Sequence, residues 1–156
     1  MDADFTAAMR VVRAEDLLGS WELVGIRRTV LDTGAVTTPF GSRPQGCLSY
    51  GSDGWMNAIF VGDGRPRPHG TGLETDAERA ALHRSMCAYA GTWAVDGRCV
   101  RRRITVSWNE SWTGTEVVRF AGFDEEGRLV LSTGVAAGIR DGRRGEAVLT
   151  WRRPGG

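Results

Sequence analysis

Asp-Gly recurs at Asp53-Gly54, Asp63-Gly64, Asp96-Gly97 and Asp141-Gly142, with looser versions at Asp32-Thr33-Gly34 and Glu126-Gly127. This series of turns restricts the fold more than any other feature, because Asp-Gly supplies the positive φ angles that tight hairpins require. Between the turns lie short segments rich in Val, Ile, Leu, Thr, Trp and Phe, which suit a pleated, half-buried surface. The expected strands are Ser20 to Leu31, Ala35 to Pro39, Gly46 to Tyr50, Trp55 to Val61, Gly91 to Val95, Cys99 to Trp108, Thr113 to Phe123, Arg128 to Val135 and Glu146 to Arg152. The pattern predicts a mostly β, antiparallel meander. Closure into a barrel removes the edges that an open sheet would expose, and a sandwich is the alternative.

One segment departs from the β pattern. Thr75-Asp76-Ala77-Glu78 has the form of a capping box, and Leu82, Met86 and Tyr89 follow at helical spacing. The expectation is an amphipathic helix running to about Ala90, where Gly91 stops it, with its apolar stripe closing a barrel mouth or packing on the wall. Gly62 to Gly72, with Pro66 and Pro68, reads as a loop that is either a gate beside the mouth or a plain surface connection.

The chain of 156 residues is expected to form one domain, a barrel over about residues 17–153 after an N-terminal extension of residues 1–16. Hydrophobic residues make up 41% and charged residues 25%, enough for a core. A net charge of +1 gives no general attraction to nucleic acid or to an anionic membrane. All basic residues are arginine, so lysine-based covalent chemistry is closed to this chain. Cys47, Cys87 and Cys99 are scattered, which suggests neither a disulfide framework nor a thiolate metal site and fits a cytoplasmic protein. The charged N-terminus does not read as a signal peptide, and no stretch is long enough to span a bilayer.

A more specific series runs along the chain: Leu17-Leu18-Gly19-Ser20-Trp21, Gly46-x-Leu48-x-Tyr50, Asp53-Gly54-Trp55-Met56-Asn57, Tyr89-Ala90-Gly91-Thr92-Trp93, and Trp112-Thr113-Gly114-Thr115 with Arg119. It resembles the bacterial and fungal lipocalin-like domain family, from about Leu17 to Arg152. The resemblance implies a small β-barrel with a central cavity, in which the Trp of Gly-x-Trp closes the floor and an Arg packs across it. It also implies an association with secondary metabolism, as a carrier or as an aid to cyclisation or isomerisation of polyketide-type and terpenoid intermediates. The chain departs from the family pattern at Arg102 or Arg103, where His is usual, at Thr105, usually acidic, and at Glu110, usually Pro.

Six tryptophans, Trp21, Trp55, Trp93, Trp108, Trp112 and Trp151, are spread over the expected strands. Aromatic walls suit flat, apolar ligands with a few polar groups, although most such rings simply fill a β core. Leu48, Met56, Trp93, Trp108 and Trp112 are the expected cavity liners, while Asn57 contributes only if its strand faces the other way. Arg101, Arg103, Thr105 and Ser107 share one strand face. That face meets water, or else Arg103 and Ser107, with Arg119 on a neighbouring strand, bind an anionic or carbonyl-bearing ligand. A buried Arg would then need an internal acid or a ligand carboxylate. Glu110 lies between Trp108 and Trp112 and either titrates near neutrality through desolvation or belongs to a polar turn.

Walker A, dinucleotide Gly-x-Gly-x-x-Gly, nucleophile-elbow and zinc-protease motifs are absent from the sequence, so neither a cofactor nor a metal is expected. The functional expectation is a barrel for a small hydrophobic or amphipathic metabolite. It is either a cofactor-independent cyclase or isomerase with Arg103, Glu110, Tyr50 and Tyr89 as its polar groups, or a carrier or sensor that leaves its ligand unchanged. No nucleic-acid or membrane partner is expected, and a homodimer is compatible with the sequence.

Overall fold

The computed structural model describes residues 8–72, 75–138 and 141–156. Its strands are β1 (Gly19–Val30), β2 (Val36–Thr37), β3 (Gln45–Tyr50), β4 (Trp55–Val61), β5 (Met86–Asp96), β6 (Cys99–Ser107), β7 (Glu116–Phe123), β8 (Leu129–Ala137) and β9 (Arg144–Arg152). From β3 to β9 each strand pairs antiparallel with the next, β1 pairs with β3, and β9 returns to β1. Eight strands thereby close into a barrel with no free edge. The short β2 is an arm on the far end of β1, in register Arg28↔Thr37.

Alternation decides what fills the interior. On β4, Met56, Ala58 and Phe60 are buried while Trp55, Asn57 and Ile59 are exposed. Turn chemistry behaves as the sequence predicts: Asp96↔Cys99 closes the β5–β6 hairpin over Gly97, whose φ is +60°.

The helix is shorter than expected. α2 spans Asp76–Arg84, capped by Thr75, whose hydroxyl accepts from the Glu78 amide at 3.1 Å while the Glu78 carboxylate accepts from the Thr75 amide at 3.1 Å. Met86 and Tyr89, expected on the helix, belong to β5. From Cys87 onward a period of two replaces the helical one, with Cys87, Tyr89 and Gly91 buried and their neighbours less so. The β ladder with β4 and β6 overrides the local helical spacing. No residue of α2 is fully buried. The 62–72 loop is tied to it, because Arg65 donates to Ser85 Oγ at 2.8 Å and to the Leu82 carbonyl at 3.1 Å, and the His69 amide donates to Glu78 at 3.2 Å.

One end of the barrel is solid. A short helix, α1 (Ala14–Leu17), precedes β1, and Trp21 Nε1 donates to the Leu17 carbonyl at 2.9 Å. The Arg153 guanidinium lies 3.7 Å above the Trp21 ring, the Arg-on-Trp floor implied by the Gly-x-Trp opening. Leu17, Leu48, Met56, Val100, Ile104 and Leu129 fill this half, each contributing roughly 1.5–3 kcal/mol of burial. Any ligand space lies beyond it.

Candidate functional site

The other half of the barrel contains a cavity of about 310 Å³. That volume is at the small end of the ligand-site range. Ile26, Phe60, Val117, Leu131, Leu149 and Trp151 give it an apolar wall, and Arg28, Phe40, Glu116 and Gly138 stand among the residues around its mouth. Cys87, Tyr89, Arg102 and Arg119 are its main polar groups away from the mouth.

A β-bulge builds the polar cluster. Between β5 and β6 the register jumps from Ala90↔Val106 to Gly91↔Ile104, skipping Thr105. Only glycine fits at position 91, because a Cβ there would lie 1.8 Å from the Arg103 carbonyl oxygen. On the floor side of the bulge Val100, Arg102 and Ile104 face inward; beyond it Ser107 lies opposite the inward Tyr89. Of the β6 arginines, the one inside the barrel is therefore Arg102, whereas Arg103 is exposed on the outer surface.

Arg102 is 2% exposed. Its guanidinium donates to Tyr89 Oη at 2.6 Å and to Tyr50 Oη, and lies 5.5 Å from the centre of the Tyr50 ring. Tyr50 is held in turn by Trp93, 4.7 Å away, whose Nε1 donates to the Gly51 carbonyl at 3.0 Å. Burial pushes the Tyr50 phenol above its ordinary pKa, and the nearby Arg102 charge offsets this only in part. For Arg102, burial opposes the charge but the two tyrosine oxygens outweigh it, so its pKa is raised.

Arg119 is less well provided for. It donates to its neighbour's carbonyl, Val118 O, at 3.0 Å. Burial and the adjacent Arg102 charge both lower its pKa. Among the described residues no carboxylate pairs with Arg102 or Arg119: Glu116 at the rim binds Arg101 at 2.7 Å, and Asp141 binds Arg28 at 2.7 Å. Two buried nitrogens on cavity-lining residues, Arg102 Nε and Trp151 Nε1, have no partner among the described residues. Burial raises the Cys87 thiol to about 12, so it is protonated and unreactive at neutral pH. Among the described residues no group of His, Cys, Asp and Glu is arranged to hold a metal ion.

Of the residues singled out from the sequence, Tyr89, Trp112 and Arg119 line this cavity, and Tyr50 joins them through Arg102. Leu48 and Met56 are buried in the filled half, Trp93 supports Tyr50, and Asn57 is exposed outside. Ser107 Oγ accepts from the Asn109 amide at 3.2 Å. Trp108 packs edge-on to Trp112 at 5.0 Å, and its carbonyl lies 3.1 Å from His83 Nε2, which links α2 to the β6–β7 turn. Glu110 is exposed in a 3-10 turn, Glu110–Trp112, and accepts from Thr113 at 3.2 Å. It occupies the polar-turn alternative. Sequence reasoning passed over Arg102, although Val100-x-Arg102-x-Ile104 places it on an apolar face, and it passed over Cys87, Phe60, Leu131, Leu149 and Trp151 as cavity walls.

A lipocalin-like domain model matches residues 18–154. Among solved structures, a lipocalin-like protein from Bacteroides uniformis is 12% identical, with 88% of this chain and 98% of that chain covered and a TM-score of 0.45. No curated protein sequence matches the chain. With the family model spanning nearly the whole chain, this protein belongs to the lipocalin-like domain family.

Proposed function

We propose that this protein binds a small hydrophobic metabolite inside its barrel. The observation that carries this reading is the division of the interior: one half is filled to the floor, and the other keeps an apolar cavity of about 310 Å³ with a few convergent polar groups. A barrel of this strand number can fill itself with side chains or hold one small ligand, and the small residues Ala136, Ala147 and Gly145 leave room at the open end. Incubating the purified protein with cell extract and examining it by native mass spectrometry tests the reading. A retained small molecule supports it, and an empty barrel across many extracts overturns it.

A second reading makes the same cavity catalytic, a cofactor-independent cyclase or isomerase acting on a polyketide-like or terpenoid intermediate of secondary metabolism. Tyr89 and Arg102 favour it, because a phenol backed by a guanidinium can stabilise an oxyanion that develops on a substrate carbonyl. The groups available to take a proton favour plain binding. Among the described lining residues they are the protonated Cys87 thiol and Glu116, which is engaged with Arg101. Chromatography and NMR of the retained molecule before and after incubation separate the two, since an isomerase alters structure without altering mass.

A further inference from the structure

We infer that the ligand is a carboxylate, held head-inward by Arg119 with help from Tyr89 and Arg102, its apolar body lying against Leu131, Leu149 and Trp151. The inference rests on the reading of the cavity as a small-molecule site and names the class of molecule it takes.

Two guanidinium groups line one apolar cavity, Arg102 buried and Arg119 part-buried, and neither pairs with an acid among the described residues. An unpaired buried charge is strongly unfavourable, and two of one sign are worse than one. The carboxylates nearest the mouth are already committed to Arg28 and Arg101. The balance of hydrogen-bonding groups points the same way. The spare polar group on the lining is a donor, the rest of the Arg119 fork beyond its bond to the Val118 carbonyl. Tyr89 Oη accepts from Arg102, which leaves its own proton to donate. A site composed of donors and positive charge selects an acceptor-rich anion, and the planar guanidinium fork matches a carboxylate with two parallel hydrogen bonds. Arg119 is the primary contact because Arg102 spends its terminal nitrogens on the two tyrosines and serves to orient them.

The test compares decanoate with decanamide, which have the same apolar chain and differ in head-group charge, by isothermal titration calorimetry near pH 7 on the wild type, Arg119→Met and Arg119→Lys. The inference expects decanoate to bind about tenfold or more tightly than decanamide. It expects Arg119→Met to abolish that preference by weakening decanoate much more than decanamide, and Arg119→Lys to restore part of it. Equal affinity of the wild type for both compounds overturns the inference and leaves the small-molecule reading standing. A carboxylate preference that survives in Arg119→Met overturns the assignment to Arg119. Binding of neither compound counts against the cavity reading itself, and the inference falls with it.

Discussion

Replacing Arg119 with Met should make the ligand-free protein more stable. In the wild type the guanidinium is part-buried in the cavity wall, donates to one backbone oxygen, and feels a second positive charge on Arg102. Removing it forfeits one hydrogen bond, about 1 kcal/mol. It also removes a part-buried donor group whose lack of a carboxylate partner among the described residues costs about 1–3 kcal/mol. The net gain is up to about 2 kcal/mol, which for a chain of this size raises Tm by up to about 8 °C. Differential scanning calorimetry without ligand reads the shift, and urea unfolding with an unchanged m-value confirms that the native state is responsible. Saturating decanoate should invert the order. At a hundred times its Kd a ligand adds about 2.7 kcal/mol to the protein that binds it, and the variant would gain far less. A ligand-free variant that melts several degrees below the wild type would refute the reasoning, because Arg119 would then be satisfied as it stands.

Tyr50→Phe removes the acceptor for one terminal nitrogen of Arg102 and should cost about 1–3 kcal/mol, read as a lower urea midpoint; an unchanged midpoint would show that Tyr50 does not hold the arginine. Gly91→Ala places a Cβ against the Arg103 carbonyl at the bulge, so little folded protein is expected; circular dichroism of a fully native variant would contradict the β5–β6 register. Cys87 has its pKa raised from 9.0 to about 12. Between those values the unfolded chain holds fewer protons than the native one, so stability falls as pH rises, by up to about 1.4 kcal/mol per pH unit. Cys87→Ala should flatten that slope in urea titrations from pH 9 upward, and an identical slope would exclude Cys87 as its source.

The architecture was legible because its determinants are local. The Asp-Gly turns and the segments between them yield the strand order, and the Gly-x-Trp opening yields the floor, with Trp21 bonded to Leu17 and covered by Arg153. The errors arise where tertiary pairing overrides a local pattern. Met86 and Tyr89 continue the helical spacing of Leu82, yet the ladder with β4 draws them into a strand. The site was harder to read because facing depends on register. One skipped residue, Thr105, reverses which side of β6 looks inward, so Arg102 and Ser107, of opposite sequence parity, lie on the same face. Cavity walls such as Phe60, Leu131 and Leu149 look like any core residue in the sequence, because whether a buried side chain meets another side chain or open space is a property of the closed barrel.

The measurement that bears most directly on the account is a crystal structure of the protein with decanoate. The account predicts a single molecule inside the barrel, its carboxylate oxygens about 3 Å from the Arg119 guanidinium and its chain running toward the mouth beside Phe40. A head group resting at the mouth beside Arg28 with the chain buried, or a barrel with no ligand in it at saturating concentration, would contradict it.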